Sequence, residues 1–207
     1  YRVALDGLSP VALGETPRGA ALLASHRSAP VGELIHALGK WSDNFVAEML
    51  FKVMGAERHR PGRAEDAVAA VRAELEAAGL DRPSTRIVNG SGLFDGNAIA
   101  PQTLAELLAA VYRDPALRSD FIASLAVGAV DGTLRRRLRD LPAPRIVRAK
   151  TGTLAGVIGL SGYVLGPRPG QAYAFSFLAN DVRGRLGASR RLADDLVRAL
   201  AGHLHGD

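Results

Sequence analysis

Residues 146–180 decide the fold, because they carry three successive β-strand patterns: IVRAKTGT at 146–153, GVIGLSGYVL at 156–165 and QAYAFSFLAN at 171–180. The patterns are rich in β-branched and aromatic residues, and a turn rich in glycine and proline at 166–170 separates the last two. Strands joined by such short connections pair in antiparallel fashion. The stretch therefore predicts an antiparallel sheet.

Helical patterns lie on both sides of these strands. Apolar residues recur at helical spacing in six segments, namely 30–41, 45–55, 61–79, 101–112, 115–125 and 188–204. The last segment places four apolar residues on one face: Leu192, Leu196, Val197 and Leu200. Short strands are also predicted at 1–5 and 86–88. Helices followed by a strand meander and a terminal helix indicate an α+β fold, an antiparallel sheet with helices.

The composition of the 207 residues fits a globular chain and excludes several classes of protein. With 47% hydrophobic residues and no cysteine, the chain can bury a core but cannot form disulfides or thiolate metal sites. The five histidines show no ligand spacing, so no metal site is predicted. The chain begins with Tyr1 and has no apolar leader, and we expect it to be a fragment or a processed chain.

A first candidate motif, Ser42-Asp43-Asn44, lies between two predicted helices. The i, i+2 spacing in a turn lets the hydroxyl of Ser42 and the amide of Asn44 project towards one cleft. A hydroxyl can relay a proton, and an amide can hold a substrate carbonyl. The alternative is that Ser42 serves only as the N-cap of the following helix.

A second candidate motif, Lys150-Thr151-Gly152-Thr153, lies at the end of the first predicted strand. Gly152 has no side chain that would block an extended ligand along the strand edge. Threonine hydroxyls can bind a carboxylate, and Lys150, one of only three lysines among 26 basic residues, supplies positive charge. The alternative is a solvated lysine on an edge strand, followed by a turn.

The two motifs occur in the order found in penicillin-binding proteins and β-lactamases, whose third signature is Ser-x-x-Lys. The segment KWSDNFVAEML at 40–50 resembles the D-alanyl-D-alanine carboxypeptidase/endopeptidase family, the class C low-molecular-mass penicillin-binding proteins (peptidase family S13). Three more segments resemble blocks of that family, NGSGL at 89–93, VDGTL at 130–134 and AKTGTL at 149–154. The resemblance implies a penicillin-binding-protein/β-lactamase-like (transpeptidase) fold.

Two features depart from the family pattern. Asn89 stands where the family has an aspartate, and no serine of the chain is followed by lysine at the third position, so Ser-x-x-Lys is absent. In this family that motif lies far upstream of the others. The resemblance therefore implies that residues 1–29 end an upstream region and that residues 30–207 are the C-terminal part of the transpeptidase-like domain, incomplete at its N-terminus. We expect the isolated chain to be inactive.

The resemblance also implies a reaction, the hydrolysis of D-Ala-D-Ala peptides through an acyl-enzyme, without metal or organic cofactor. Ser42 would relay a proton, Asn44 would hold the substrate amide, and Lys150 would supply positive charge. The substrate-binding residues would be Thr151, Gly152 and Thr153. The implied partners are peptidoglycan stem peptides, β-lactams and the missing N-terminal portion, in the periplasm or elsewhere outside the bacterial cytoplasm.

Other interpretations stay open at this point. A catalytically inactive module of the same fold would bind peptidoglycan peptides without cleaving them. Dinucleotide binding by Gly90-Ser91-Gly92 and Gly96 is disfavoured by a spacing one residue too long. Nucleic-acid binding by the arginines at 135–139 lacks interleaved aromatic residues, so no nucleic-acid partner is predicted. The strand at 171–180 is expected to lack the upstream strand that would pair with it, and the resulting unpaired edge would allow a homo-oligomer.

Overall fold

Four antiparallel strands form a sheet in the computed structural model, which describes residues 14, 15, 17–93 and 96–206. The strands follow one another in chain order: β1 (Ala126–Val127), β2 (Val147–Leu154), β3 (Val157–Leu165) and β4 (Ala172–Ala179). The antiparallel sheet predicted from residues 146–180 is therefore confirmed, with β2, β3 and β4 within two residues of the predicted bounds.

The remaining strand predictions have different outcomes. β1 pairs with the start of β2 and was not predicted, because two residues are too short to show an alternating pattern. The strand predicted at 86–88 is wrong, since only its first residue forms a β-bridge, with Ala98. The side chain of Asn97 accepts a hydrogen bond from the N–H of Val88 instead. The strand predicted at 1–5 lies outside the described residues.

Each predicted helical segment contains a helix, and the observed bounds are α1 (Val31–Trp41), α2 (Asn44–Ala56), α3 (Ala64–Ala77), α4 (Pro101–Arg113), α5 (Arg118–Ser124) and α6 (Leu186–His205). α3 begins later than predicted because Arg63 is still extended. α5 also begins late, because the carboxylate of Asp114 accepts the N–H of Ala116 and forms a local turn. Within the described residues, no helix is long and apolar enough to cross a bilayer.

Helix α6 covers one face of the sheet. Ala193, Val197 and Ala201 lie at i, i+4 spacing and are fully buried against strand residues that include Leu160 and Val164. The predicted apolar face of this helix is partly wrong, since Leu192 is 60% exposed. Small alanines at the interface let the helix approach the sheet closely. The buried face of α6 is therefore centred on Ala193, Val197 and Ala201 and is rotated away from Leu192.

The opposite face of the sheet is covered by α4 and α5 near its middle. The hydroxyl of Tyr163 donates a hydrogen bond to the carbonyl of Leu108 at 2.8 Å, and its ring contacts Tyr112 and Phe121. Burial raises the pKa of Tyr163 to about 12. This face therefore buries polar groups as well as apolar ones, and the candidate site lies on it.

The arginines at 135–139 are tied into the fold at two points. Arg137 forms a partly buried ion pair with Asp194 of α6, at 2.6 Å from its Nη2 to the carboxylate. Arg135 lies over the ring of Trp41, 5.9 Å from its centroid. Two of the four arginines that suggested nucleic-acid binding thus have internal structural partners.

Candidate active site

The Ser42–Asn44 turn joins α1 to α2, and its geometry separates the roles of its residues. Asp43, not Ser42, caps α2, since its carboxylate accepts the N–H of Val46 at 3.0 Å. The alternative that Ser42 is the N-cap is therefore wrong. Ser42 has a φ of 62°, a left-handed conformation that is uncommon for a residue with a side chain. Such backbone strain is concentrated at functional sites.

Lys150 links the two motifs directly. Its Nζ donates hydrogen bonds to Ser42 Oγ at 2.5 Å and to the carbonyl of Thr151 at 2.9 Å. Burial lowers the pKa of Lys150, because the ammonium loses part of its hydration. The alternative of a solvated edge-strand lysine is therefore wrong. Within the described residues, no carboxylate forms an ion pair with this ammonium.

The second half of β2 has an open edge. β1 pairs only with Arg148 and Ala149, so residues 150–154 have a strand neighbour on one side only, which is β3. Gly152 lies opposite Gly159 in the register, and this part of the groove has no side chain on either strand. An extended peptide can therefore approach the backbone along this edge.

A groove of about 610 Å³ brings together all six residues singled out from the sequence. Ser42 and Asn44 line one wall, and the segment 150–153 lines the other. The further lining residues come from the segments 86–93, 96–99, 154–159 and 178–180. The two motifs thus face each other across one groove, as the sequence predicts. The chemical roles of the six residues stay predictions.

An ion pair that the sequence analysis missed, between the buried Lys40 and the partly exposed Asp131, supports the first wall of the groove. Lys40 Nζ lies 2.9 Å from Asp131 Oδ2 and 2.6 Å from the carbonyl oxygen of Leu125. Gly132 packs against the backbone of Lys40 so closely that a side chain would not fit. Lys40 and Asp131 are 91 positions apart, so no local pattern could pair them, although both belong to family-like segments.

The segment 131–133 also contacts the second wall of the groove, through Thr133. The hydroxyl of Thr151 donates a hydrogen bond to Thr133 Oγ1 at 2.9 Å. Burial raises the pKa of Asp131, but hydrogen bonds from Lys40 and the N–H of Val127, together with nearby positive charge, outweigh it and hold that pKa below its usual value. Residues 131–133 therefore connect α1 to the edge of β2.

The Asn89–Leu93 turn forms another part of the wall and is held by side chains. Glu48 Oε1 accepts the N–H of Ser91 at 2.9 Å, and Asn89 Oδ1 accepts the N–H of Gly92 at 2.7 Å. Burial raises the pKa of Glu48, but hydrogen bonds from Ser91 and Gly90 outweigh it, so the pKa is lowered. Because these backbone donors are already bonded, the turn is not a free cradle for a phosphate.

The described residues contain no group of three acidic or histidine side chains that could hold a metal ion. What the groove offers instead is a hydroxyl, an amide, two threonines and an ammonium that has no acidic partner in the described part of the chain. These groups fit a substrate that presents an amide bond and a free carboxylate.

Comparisons with known proteins agree with this arrangement. Residues 8–201 match the model of the D-Ala-D-Ala carboxypeptidase 3 (S13) family. A D-alanyl-D-alanine carboxypeptidase of Actinomadura is 37% identical over 182 residues, which cover 84% of this chain and 33% of that protein. The carboxypeptidase DacB of Mycolicibacterium smegmatis is 33% identical over 189 residues, which cover 88% of this chain and 40% of that protein. The chain thus spans about a third to two fifths of the length of these relatives.

A solved structure shows the same fold. Penicillin binding protein 4 (dacB) from Haemophilus influenzae, in complex with a β-lactam, is similar with a TM-score of 0.74 and 30% sequence identity. The match covers 91% of this chain and 46% of that chain. The penicillin-binding-protein-like fold implied by the sequence motifs is therefore confirmed.

Proposed function

Because the chain belongs to the D-Ala-D-Ala carboxypeptidase 3 (S13) family, we propose that it supplies the relay and substrate-binding half of a serine D-Ala-D-Ala carboxypeptidase/endopeptidase site. The serine nucleophile and its lysine would come from a Ser-x-x-Lys motif outside these 207 residues. Residues 30–207 would then be the C-terminal part of the transpeptidase-like domain. The substrate would be a peptidoglycan stem peptide, which places the reaction outside the bacterial cytoplasm.

The observation that carries this proposal is the 2.5 Å hydrogen bond from Lys150 Nζ to Ser42 Oγ. A lysine and a serine in contact form a path along which a proton can move to the nitrogen of the leaving amino acid. Ser42 would donate this proton to the leaving nitrogen while it recovers one from Lys150. The low hydration of Lys150 favours this exchange, because its pKa is already lowered by burial.

Substrate binding would use the open edge of β2. Lys150 has no acidic ion-pair partner among the described residues, and the terminal carboxylate of a D-Ala-D-Ala peptide would supply one. Thr151 and Thr153 would bind that carboxylate, and Asn44 would hold the penultimate amide. A backbone N–H of β2 would contribute to the oxyanion hole. A β-lactam carries a carboxylate next to its reactive amide and would occupy the same groove.

A second candidate is a catalytically inactive module that binds peptidoglycan peptides. It is favoured by one observation, the absence of any Ser-x-x-Lys motif in the 207 residues. The groove residues would then hold the peptide reversibly, without a covalent intermediate. The two candidates differ in whether the protein expressed from its complete coding sequence forms a covalent adduct.

Labelling with a fluorescent penicillin tests the proposal. We expect covalent labelling of the protein expressed from its complete coding sequence and none of the 207-residue chain alone. Lys150→Ala in the longer protein should slow labelling by about a thousandfold, because a charge-bearing group of the reaction is lost. Lys52→Ala is the matched control, since Lys52 is exposed on α2 and does not line the groove.

Each other outcome has a clear meaning. Labelling of the 207 residues alone would contradict the proposal that the nucleophile lies elsewhere. Unchanged labelling by Lys150→Ala would remove Lys150 from the reaction. Reversible binding of a D-Ala-D-Ala peptide without labelling of the longer protein would favour the inactive module.

A further inference from the structure

A second cavity, of about 570 Å³, lies at the opposite end of β2 from the groove. Its walls come from α5, from the start of β2 and from the end of β3, including Leu165. The volume is within the range of sites that hold small organic molecules, roughly 300–1,000 Å³. None of the six residues singled out for catalysis or substrate binding lines it.

The charge of this cavity is strongly positive. Four basic residues line it, Lys40, Arg118, Arg145 and Arg148, against one acidic residue, Asp131. That carboxylate is already engaged, since it accepts hydrogen bonds from Lys40 and from the N–H of Val127. The three arginines form no ion pair with any acid among the described residues. Among the described residues, the positive charge of these arginines is therefore offset only in part, by the carboxylate of Asp131 near Arg148.

Arg148 shows most directly that the arginines of the cavity are incompletely paired among the described residues. Its Nη1 is shielded from solvent and has no hydrogen-bond partner in the described part of the chain. Burial lowers the pKa of Arg148 and the neighbouring charge of Arg145 lowers it further, and together they outweigh the opposing effect of the Asp131 carboxylate. A buried guanidinium nitrogen without an acceptor costs free energy, which a bound anion would offset.

Arg118 and the apolar wall define what kind of anion fits. The guanidinium of Arg118 lies over the ring of Tyr112, 5.6 Å from its centroid. This contact favours one orientation of the guanidinium, as stacking on an aromatic ring does for arginine elsewhere. Ile122 and Leu165 add apolar surface to the same cavity. Planar guanidinium groups bind phosphate and carboxylate oxygens in pairs.

We propose that this cavity is a binding site for a small molecule with two or more oxyanion charges, either phosphate or carboxylate. Arg145 and Arg148 would bind one oxyanion group, and Arg118 would bind a second. This assignment does not depend on the reaction proposed for the groove, because it rests on a different set of side chains.

The cavity shares its framework with the groove. Three short segments, 40–42, 131–133 and 148–150, contribute to both sites. The first residue of each segment lines the cavity. The last residue lines the groove or, in the case of Thr133, forms a hydrogen bond to a residue that lines it. An anion bound by the arginines would therefore contact residues of the same segments that carry Ser42 and Lys150.

Calorimetric titration with pyrophosphate, and separately with citrate, tests this site in the protein expressed from its complete coding sequence. Ionic strength is held constant with sodium chloride, because screening alone changes weak binding. We expect saturable binding of at least one of the two anions at one site. The tighter of the two identifies the oxyanion as phosphate or as carboxylate.

Arginine variants locate the binding. Arg148→Gln and Arg145→Gln should each weaken binding by about tenfold or more, as expected for loss of a charge-assisted hydrogen bond. Arg145 is exposed, so its variant keeps the test valid if Arg148→Gln fails to fold. Arg190→Gln is the matched control, since Arg190 is exposed on α6, across the sheet. Absence of saturable binding, or equal effects of Arg190→Gln and Arg145→Gln, would overturn the proposal.

Discussion

The two faces of the sheet differ in the side chains that they carry. The face under α6 is a closed apolar core, in which Leu160, Val164 and Val197 are completely buried. The other face carries Lys150 and a contact between the hydroxyls of Ser161 and Ser176 at 2.9 Å. Leu160 thus points to the core on one side of β3, whereas its neighbour Ser161 points to a polar contact on the other. Stability should therefore come mainly from the first face and chemistry from the second.

The largest effect should be a loss of activity without a loss of stability. We expect Lys150→Met to slow β-lactam labelling of the longer protein by about a thousandfold. Its free energy of unfolding should not fall, because methionine keeps the apolar stem and removes a poorly hydrated charge. A large destabilisation would show that Lys150 is a structural residue and would break the contrast between the faces.

The pH dependence of the same variant sharpens this prediction. The pKa of Lys150 is lower in the folded protein than its usual 10.5. The unfolded chain therefore binds more protons between the two pKa values, and this group adds stability as the pH rises through that interval. Urea unfolding at several alkaline pH values should show this contribution in the unmodified protein and not in Lys150→Met.

Two adjacent residues of β3 give the most direct test of the contrast in stability. Leu160→Ala should lower the free energy of unfolding by about 3 kcal/mol, because it leaves a cavity in the closed core. Ser161→Ala removes one hydroxyl contact on the other face and should cost about 1 kcal/mol or less. Urea unfolding measures both. Equal losses would show that the site face contributes to stability as much as the core does.

The ion pair between Lys40 and Asp131 is an exception to this contrast. It lies beside the groove and is polar, but we expect it to stabilise the fold. Lys40→Met should cost about 2 kcal/mol at pH 7, less than for a fully buried pair because Asp131 is partly exposed. The lowered pKa of Asp131 means that its contribution is present above its usual 3.8 and is lost as the pH falls through the folded value. The loss of free energy of unfolding caused by Lys40→Met, measured by urea unfolding, should therefore be smaller at pH 3 than at pH 7.

Local sequence patterns predicted the sheet and the helices because β2, β3, β4 and the helices are long enough to show a period. They failed for β1, whose two residues are held by pairing with β2 alone. The six residues that line the groove were singled out from the sequence because short motifs carry them. The ion pair between Lys40 and Asp131 was not found, since only the folded chain brings these residues together. The cavity arginines show no motif either, as they come from separate segments.

The smallest effect should come from Asp43, which lies between the two predicted site residues of the first motif, Ser42 and Asn44. Asp43→Ala removes the N-cap of α2 and should cost about 1 kcal/mol in the free energy of unfolding. Asp43→Asn keeps an oxygen that can accept the N–H of Val46 and should cost only a few tenths of a kcal/mol. If both variants label with penicillin at nearly the normal rate, Asp43 is a structural position of the motif. Strongly reduced labelling by Asp43→Asn would instead place the carboxylate itself in the reaction.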